Sequence, residues 1–315
     1  MKADKENIPS VDVVIPTYAP EEGFLQLLEK LQNQTIVPAK IIIINTKNKQ
    51  ENLFFERNKL EKKYKNVEVY HIEKEEFDHG KTRNLGISYS NAPFFLCMTQ
   101  DAVPADQFLI EHLLNAFEDP QVGVSYGRQL AYEDSHILEK FTREFNYPKE
   151  SRKKTKEDIP SLGIKTFFCS NVCAMYRKSS YEKTGGFIQR AIFNEDMIYA
   201  AGLIEAGFTV QYTAQAKVYH SHYYTGKQQF QRNFDLGVSQ VDHPEIFLKV
   251  KSEKEGKKLI KSTLIYLKKK KRYEIIPLFF YHSGCKYIGY KLGKSYQKLP
   301  LWFIKKCSMN INYWT

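Results

Sequence analysis

The sequence lacks any apolar run of the roughly 18 to 20 residues that a helix needs to cross a bilayer. The residues at its start are polar and charged, so we expect no signal peptide. Paired CxxC spacing is also absent, because the five cysteines are scattered at Cys97, Cys169, Cys173, Cys285 and Cys307. These absences predict reduced thiols in a cytosolic protein, rather than a disulfide framework or a zinc site.

An excess of positive charge is absent from most of the chain and is concentrated at its end. The formal net charge is +11, and residues 249–315 hold seventeen Lys and Arg against three acids. That segment therefore carries about +14, and residues 1–248 carry about −3. Such a basic segment predicts an anionic partner: membrane lipid, nucleic acid or polyphosphate.

The first 130 residues alternate short apolar runs with amphipathic segments. We predict strands over residues 11–16, 40–45, 67–71, 94–99 and 122–127, and helices over 21–33, 51–64, 81–90 and 106–117. This alternation predicts an α/β fold with a parallel, doubly wound sheet. Polar residues follow successive strands, which is where such sheets bind ligands. A lone acid there, such as Asp101, could equally be a solvated turn residue.

The second half of the chain is less regular. The charged segment 148–160 reads as a mobile surface loop. A strand over 171–176, a helix over 195–206 and short strands over 208–212 and 217–220 follow. Beyond residue 245 the pattern becomes helical and rich in Lys, Tyr and Phe. We therefore predict a catalytic domain over residues 1–245 and a basic, aromatic-rich helical region over 246–315.

Five short motifs occur in an order that resembles family 2 glycosyltransferases of the GT-A fold. They are Val14-Ile15-Pro16-Thr17-Tyr18, the run from His79 to Asn84, the run from Thr99 to Ala102, Gly185-Gly186-Phe187 and Asn194-Glu195-Asp196. The stretch Phe-Asp-His-Gly-Lys-Thr-Arg-Asn, with Gln-Asp-Ala, looks most like the bacterial rhamnosyltransferase branch. The resemblance covers about residues 10 to 240. It implies a mostly parallel sheet flanked by helices, here with a basic helical C-terminal extension.

This resemblance implies a divalent cation, Mg²⁺ or Mn²⁺, at the diphosphate of a nucleotide-sugar donor. Asp101 fits the role of a cation ligand. The family usually has two acids spaced by one residue, but Thr99 and Gln100 precede Asp101, so only the last carboxylate is kept. His220 and His222 are further candidate ligands, since strand alternation puts both rings on the same side. The alternative is a surface histidine pair that binds nothing.

The same resemblance implies that Asp196 is the catalytic base that takes the proton of the acceptor hydroxyl. Glu195 would orient the acceptor. From the residues alone, both could be ordinary acids at the start of a helix, where the macrodipole stabilises negative charge.

Residues that would bind the donor follow from the family motifs. Tyr18 would stack on the base, and Asn45 stands where the family commonly has Asp. Arg83 could instead be a cation on the surface of its helix. The full predicted set is Pro16, Thr17, Tyr18, Asn45, Gly80, Arg83, Gln100 and Asn171.

The C-terminal region interleaves lysines with aromatic residues, as in the run from Lys268 to Arg272 followed by Phe279, Phe280 and Tyr281. This pattern favours an anionic membrane interface. Packing on the catalytic domain or contact between copies of the chain is the alternative. No nucleic-acid-binding module is recognisable, so no nucleic-acid partner is expected.

Together these observations lead to one hypothesis about function. The protein would be an inverting glycosyltransferase that moves rhamnose from dTDP-rhamnose to a hydroxyl of a lipid-linked cell-surface polysaccharide precursor. It would be cytoplasmic and peripheral on the inner face of a bacterial cell membrane. The alternative is a catalytically inactive scaffold that binds nucleotide sugars, for which the missing first acid is the hint.

Overall fold

A computed structural model describes residues 8–48, 52–248, 250 and 253–314. The described strands join one sheet of nine. They are β1 (Val11–Thr17), β2 (Lys40–Thr46), β3 (Val67–Ile72), β4 (Phe94–Met98), β5 (Val103–Pro104), β6 (Val122–Leu130), β7 (Arg152–Lys154), β8 (Cys173–Arg177) and β9 (Thr209–Tyr219).

Helices cover the sheet and make up the C-terminal region. They are α1 (Glu22–Gln32), α2 (Asn52–Asn58), α3 (Leu60–Lys63), α4 (His79–Ser88), α5 (Leu109–Asn115), α6 (Ile137–Asn146), α7 (Ile159–Leu162), α8 (Lys178–Lys183), α9 (Glu195–Glu205), α10 (Gly226–Asp242), α11 (Pro244–Phe247), α12 (Glu253–Lys269), α13 (Ile276–Gly293) and α14 (Leu301–Cys307). Among the residues that the structure describes, no helix is both long enough and apolar enough to span a membrane.

The sheet has a parallel half and a mixed half. Its order is β3-β2-β1-β4-β8-β6-β9-β5, with β7 beside β9. The first four strands are parallel, as predicted, while β8 runs antiparallel to both β4 and β6. Strands β6 and β9 are parallel to each other. The carboxyl ends of β1, β2, β4, β6 and β9 therefore meet the start of β8 at one edge.

The central strands are buried on both faces, which explains their continuous apolar runs. In β2, Ile41 to Ile44 are all 0% exposed. The predicted apolar face of α1 (Phe24, Leu27, Leu28 and Leu31) packs against this sheet. The helix predicted over 51–64 is divided into α2 and α3, because Lys59 adopts a left-handed φ of 45°. Residue 51 lies outside the described residues.

The prediction of a mobile loop over 148–160 is wrong. Strand β7 pairs with β9 through Lys154 and Val210, and the Lys154 side chain is buried. Its Nζ donates to the Tyr126 hydroxyl at 3.1 Å and to the backbone carbonyls of Lys165 and Phe168. Burial lowers the pKa of Lys154 to about 7. A charged stretch can be ordered where its amine finds such acceptors. The two short strands predicted over 208–220 are one continuous β9.

The C-terminal region packs closely on the rest of the chain. A Cβ on Gly289 would lie 2.2 Å from the Phe230 carbonyl oxygen, and one on Gly293 would lie 2.1 Å from that of Phe234. The backbones of helices α10 and α13 are therefore in direct contact. Helix α12 lies beside α6, where the Tyr266 and Phe141 ring centroids are 4.5 Å apart. The division of the chain at residue 245 stays a prediction.

Candidate active site

At the ligand-facing edge of the sheet, Gln100 joins the ends of β1 and β4. Its Oε1 accepts from the Tyr18 backbone N–H at 2.8 Å, and its Nε2 donates to the Tyr18 carbonyl at 2.9 Å. The Tyr18 ring is 46% exposed and free to stack on a flat ligand. Pro16, one residue from the end of β1, is partly buried. A donor contact by Pro16, Tyr18 or Gln100 stays a prediction.

Thr17 and Asn45 lie beneath this surface. Thr17 Oγ1 donates to Asn45 Oδ1 at 2.9 Å, and Asn45 Nδ2 lies 3.1 Å from His71 Nδ1. Both side chains are buried. An uncharged amide can be buried where a carboxylate would need a counterion, so Asn45 connects the ends of β1, β2 and β3. Their predicted contact with the donor stays a prediction.

Asp101, His220 and His222 are brought together at the ends of β4 and β9. The Asp101 Oδ2 atom lies 2.7 Å from His222 Nε2 and 3.5 Å from His220 Nε2. One ligand atom from each residue falls within 4.8 Å of the others. Burial opposes ionisation of Asp101, but the two imidazoles beside it outweigh burial and lower the pKa of that carboxyl. We call these residues the metal trio.

The contacts of His220 show that the trio suits a cation. Gln129 Oε1 lies 3.0 Å from His220 Nδ1 and also accepts from Arg143, so it is an acceptor and His220 Nδ1 must donate to it. The Nε2 lone pair of His220 is then left facing Asp101 and His222 Nε2, which is 3.1 Å away. Burial lowers the pKa of His220, which favours the neutral, ligating form. Two imidazole nitrogens and a carboxylate oxygen that converge in this way suit a bound cation.

Glu195 and Asp196 begin α9 at the same edge. Asn194, in a left-handed conformation with φ of 66°, turns the chain into the helix. Glu195 is buried and lies 3.0 Å from Arg83 Nη1. Asp196 accepts from the backbone N–H groups of Asn171 and Met197, at 3.0 and 2.8 Å.

The surroundings of Glu195 and Asp196 shift the pKa values of the two carboxyls in opposite directions. Burial and the neighbouring charge of Glu195 raise the pKa of Asp196 to about 7. Burial also acts on Glu195, but the Arg83 guanidinium prevails and lowers the pKa of Glu195. One carboxylate is thus held ionised, while the other can exchange a proton near neutrality.

Asn171 and Arg83 hold these acids in place. Asn171 Nδ2 donates to Glu195 Oε1 at 3.1 Å, while its Oδ1 accepts from the Tyr176 hydroxyl at 2.7 Å. Arg83 is 5% exposed and also donates to the His79 carbonyl. The predicted donor contacts of Asn171 and Arg83 stay predictions, and the observed contacts position the acids.

The predicted motif at 77–84 supports the segment that leads to Asp196. A Cβ on Gly80 would lie 1.9 Å from the Ile188 carbonyl oxygen, so this position requires glycine for protein packing. Asp78 caps α4 and accepts from the Ala191 N–H at 3.1 Å. Asn84 donates to the Phe187 carbonyl at 2.8 Å. A donor contact by Gly80 stays a prediction.

Sequence reasoning missed Arg232, which packs on one aromatic ring beside the metal trio and on another that precedes the acids in the chain. Its guanidinium carbon is 4.9 Å from the Tyr224 ring centroid and 5.0 Å from that of Phe193. The Tyr224 ring lies 5.5 Å from the His222 ring, and Phe193 directly precedes Asn194. Gln129 was also missed, because its partner His220 is distant in sequence. A polar residue within the apolar pattern of β6 was the available signal.

The fold and the site define a class, the nucleotide-sugar-dependent glycosyltransferases with a GT-A-like sheet. The Glycosyl transferase family 2 profile matches residues 12–185, and this chain belongs to that family. It is 39% identical over 306 residues to the O-antigen chain rhamnosyltransferase RfbN of Salmonella typhimurium, covering 96% of each chain. It is 38% identical over 310 residues to the O-antigen chain rhamnosyltransferase WbaN of Salmonella anatum, covering 98% of this chain and 96% of that one.

Solved structures confirm the fold. A mannosyltransferase of Pyrobaculum calidifontis, PcManGT, in complex with GDP-Man and Mn²⁺, superposes with a TM-score of 0.54 at 12% identity, covering 77% of this chain and 66% of that one. S. aureus TarS 1-349 gives a TM-score of 0.54 at 14% identity, covering 92% and 91%. The predicted GT-A fold and the resemblance to the family 2 rhamnosyltransferases are thus confirmed.

Proposed function

We propose that this protein transfers rhamnose from dTDP-rhamnose to a hydroxyl of a lipid-linked polysaccharide precursor, with inversion at the anomeric carbon. The near-full-length likeness to two O-antigen chain rhamnosyltransferases supports the sugar and the kind of acceptor. The observation that carries the mechanism is the position of two unlike acids and a metal trio at one sheet edge.

Asp196 takes the proton of the attacking acceptor hydroxyl. A base works best when its pKa lies near the working pH, and the raised pKa of Asp196, about 7, meets this condition. The backbone N–H groups of Asn171 and Met197 fix its direction. Glu195, held by Arg83, stays ionised and is available to a second hydroxyl of the acceptor sugar.

Asp101, His220 and His222 would hold a divalent cation, Mg²⁺ or Mn²⁺. When bound, such a cation neutralises the negative charge that develops on the leaving diphosphate. Two imidazoles beside one carboxylate favour Mn²⁺ over Mg²⁺, which prefers oxygen ligands. Gln129 orients His220 for this role. Arg232 adds a positive charge where Tyr224 and Phe193 flank its guanidinium.

The C-terminal helices would hold the protein on the anionic inner face of the cell membrane. Several large apolar side chains of α13 and α14 are exposed: Phe280, Tyr281, Tyr287, Ile288, Leu301 and Trp302. Lysines such as Lys305 and Lys306 accompany them in the chain. This composition fits an anionic lipid surface. The alternative occupant is a second copy of the chain.

Release of nucleoside diphosphate from a panel of sugar nucleotides tests the proposal. We expect Mn²⁺-dependent release of dTDP from dTDP-rhamnose, faster than release from UDP-sugars. Turnover of UDP-sugars without turnover of dTDP-rhamnose would refute the donor and leave the enzyme class intact. Because Thr99 replaces the usual first acid, an inactive scaffold is the second candidate; it would bind dTDP-rhamnose in calorimetry without releasing dTDP.

A further inference from the structure

A cavity of about 410 Å³ lies where α6 meets the end of α12. We call it the basic cavity. Its lining includes Ser135, His136, Lys140, Tyr266, Lys270 and Arg272. Residues up to 146 come from the predicted catalytic domain and the others from the C-terminal region, so the cavity depends on both. The contact between the Tyr266 and Phe141 rings holds its two sides together.

The lining of the basic cavity carries three cationic side chains, those of Lys140, Lys270 and Arg272. Within the described part of the chain it includes no acidic side chain. Lys140 Nζ donates to the Glu133 backbone carbonyl. Because this carbonyl is neutral, the contact does not compensate the positive charge of Lys140. Arg272 donates through Nε to the exposed carboxylate of Glu274, which leaves its terminal N–H groups available. A ligand with several negatively charged oxygens suits such a lining.

The end of α12 places the cations around the cavity. Lys271 takes a left-handed φ of 55°, a position usually given to glycine. The Lys271 N–H bonds to the Lys268 carbonyl and the Arg272 N–H to the Leu267 carbonyl, which ends the helix. The chain reverses there, and both Lys270 and Arg272 line the cavity while Lys268 and Lys269 do not.

The basic cavity adjoins the segment after β9 that carries the two histidines of the metal trio. Ser135 Oγ lies 2.7 Å from Ser221 Oγ, and Ser221 stands between the two histidines of the trio. The His136 ring lies 5.4 Å from the Tyr223 ring. A ligand in the cavity would therefore sit next to the donor site without occupying it.

Exposed aromatic residues lie beside the cavity. Tyr273 directly follows Arg272 in the chain and is 58% exposed. Tyr223, itself 57% exposed, contacts His282 of α13 at 6.2 Å between ring centroids. Tyr281, which precedes His282 on that helix, is 58% exposed. An apolar chain attached to an anion in the cavity could lie against these rings.

We propose that the basic cavity binds the phosphate or diphosphate group that joins the acceptor glycan to its lipid carrier. This inference rests on the proposed function, since it deepens the identity of the acceptor. The donor diphosphate is served by the metal trio, which is separate from the cavity. A flat phospholipid surface would not need a concave site beside the trio. The cavity would fix the distance from the lipid anchor to the hydroxyl that reacts.

Farnesyl diphosphate provides a direct probe. Its binding to the full-length protein is measured by titration calorimetry in EDTA, which silences the metal trio and needs neither donor nor turnover. The test variant is Lys270→Gln with Arg272→Gln. The matched control is Lys268→Gln with Lys269→Gln, which removes the same charge from the same run outside the cavity. We expect the test variant to bind at least about tenfold more weakly and the control to stay within about twofold.

Farnesol, which lacks the diphosphate, should bind the wild-type protein at least about tenfold more weakly than farnesyl diphosphate. Equal binding of the two probes overturns the proposal, since apolar contacts alone would explain it. Equal losses in the two charge variants, together with equal losses on phosphatidylglycerol vesicles, overturn it in favour of a phospholipid surface. A raised KM for dTDP-rhamnose in the test variant, with farnesyl diphosphate binding unchanged, overturns it in favour of the donor diphosphate.

Discussion

Asp196 and Glu195 are consecutive carboxylates with opposite pKa shifts. The side chains of Arg83 and Asn171 both contact Glu195, while among the described residues Asp196 accepts hydrogen bonds from backbone N–H groups alone. A partly buried carboxylate with no cation bonded to it costs folding energy when it ionises. The same unfavourable ionisation gives Asp196 a pKa of about 7, which suits a base. We interpret this loss of stability as one that serves function.

This cost has a measurable effect on stability. The pKa of Asp196 is raised from its ordinary 3.8 to about 7, so the folded state holds a proton that the unfolded state releases. The stability that this proton contributes is lost as pH rises through about 7. We expect Asp196→Asn to raise the melting temperature at pH 8 by about 2 to 4 °C relative to wild type, and less at pH 5. An equal effect at both pH values would contradict the raised pKa.

Gln129 acts on the metal trio through His220. Gln129→Leu removes the acceptor for His220 Nδ1 but none of the three candidate ligands. We expect the Mn²⁺ concentration for half-maximal activity to rise about 10-fold or more, which is the usual effect of losing a partner of a ligand. Gln107→Leu, at an exposed position, is the control. An unchanged Mn²⁺ requirement in Gln129→Leu would argue against His220 as a ligand.

At the scale of elements, the contact between α10 and α13 depends on glycines. Because Gly289 and Gly293 have no Cβ atom, a backbone carbonyl oxygen of α10 can lie in the space that this atom would occupy. Helix α10 also carries the buried Asp235. This carboxylate accepts from the Met309 and Asn310 N–H groups and so holds the segment around these two residues in place. The C-terminal region is thereby attached to the helix that also carries Arg232.

Gly289→Ala should loosen this contact. The added Cβ would meet the Phe230 carbonyl at 2.2 Å, and such overpacking costs about 1–3 kcal/mol of unfolding free energy. Gly284→Ala, on the same helix with no atom within 4 Å of its new Cβ, is the matched control and should gain up to about 1 kcal/mol. Thermal unfolding measures both. Equal melting temperatures for the two variants would show that the helices do not pack this closely.

At the scale of the whole molecule, the sequence predicted the parts whose signal is local. Apolar runs followed by polar residues located the strand ends, and the order of the motifs indicated the family. The three predicted ligands Asp101, His220 and His222 lie together, as a family motif for Asp101 and strand alternation for the two histidines had indicated. Gln129 and Arg232 could not be found this way, since their partners are distant in sequence. The same holds for Lys154, whose buried position depends on backbone carbonyls from another segment.

The uneven charge of the whole chain predicts how it meets a membrane. We expect the protein to co-sediment with phosphatidylglycerol vesicles and to be only partly released by salt, because salt does not screen aromatic burial. Leu301→Ser with Trp302→Ser should lower the bound fraction severalfold at high salt. Leu248→Ser, an exposed residue preceding these helices, should not. Unchanged binding in the double variant would favour a contact between copies of the chain.

The pH dependence of rhamnose transfer tests most directly whether Asp196 is the base. With saturating Mn²⁺, kcat/KM for wild type should rise with pH through about 7, as Asp196 loses its proton. Asp196→Asn should lower kcat by about 100-fold or more and abolish that rise, with dTDP-rhamnose still bound. Glu195→Gln should keep the rise, shifted to lower pH, because a negative charge is removed from beside Asp196. A wild-type profile in Asp196→Asn would contradict the account and place the base elsewhere.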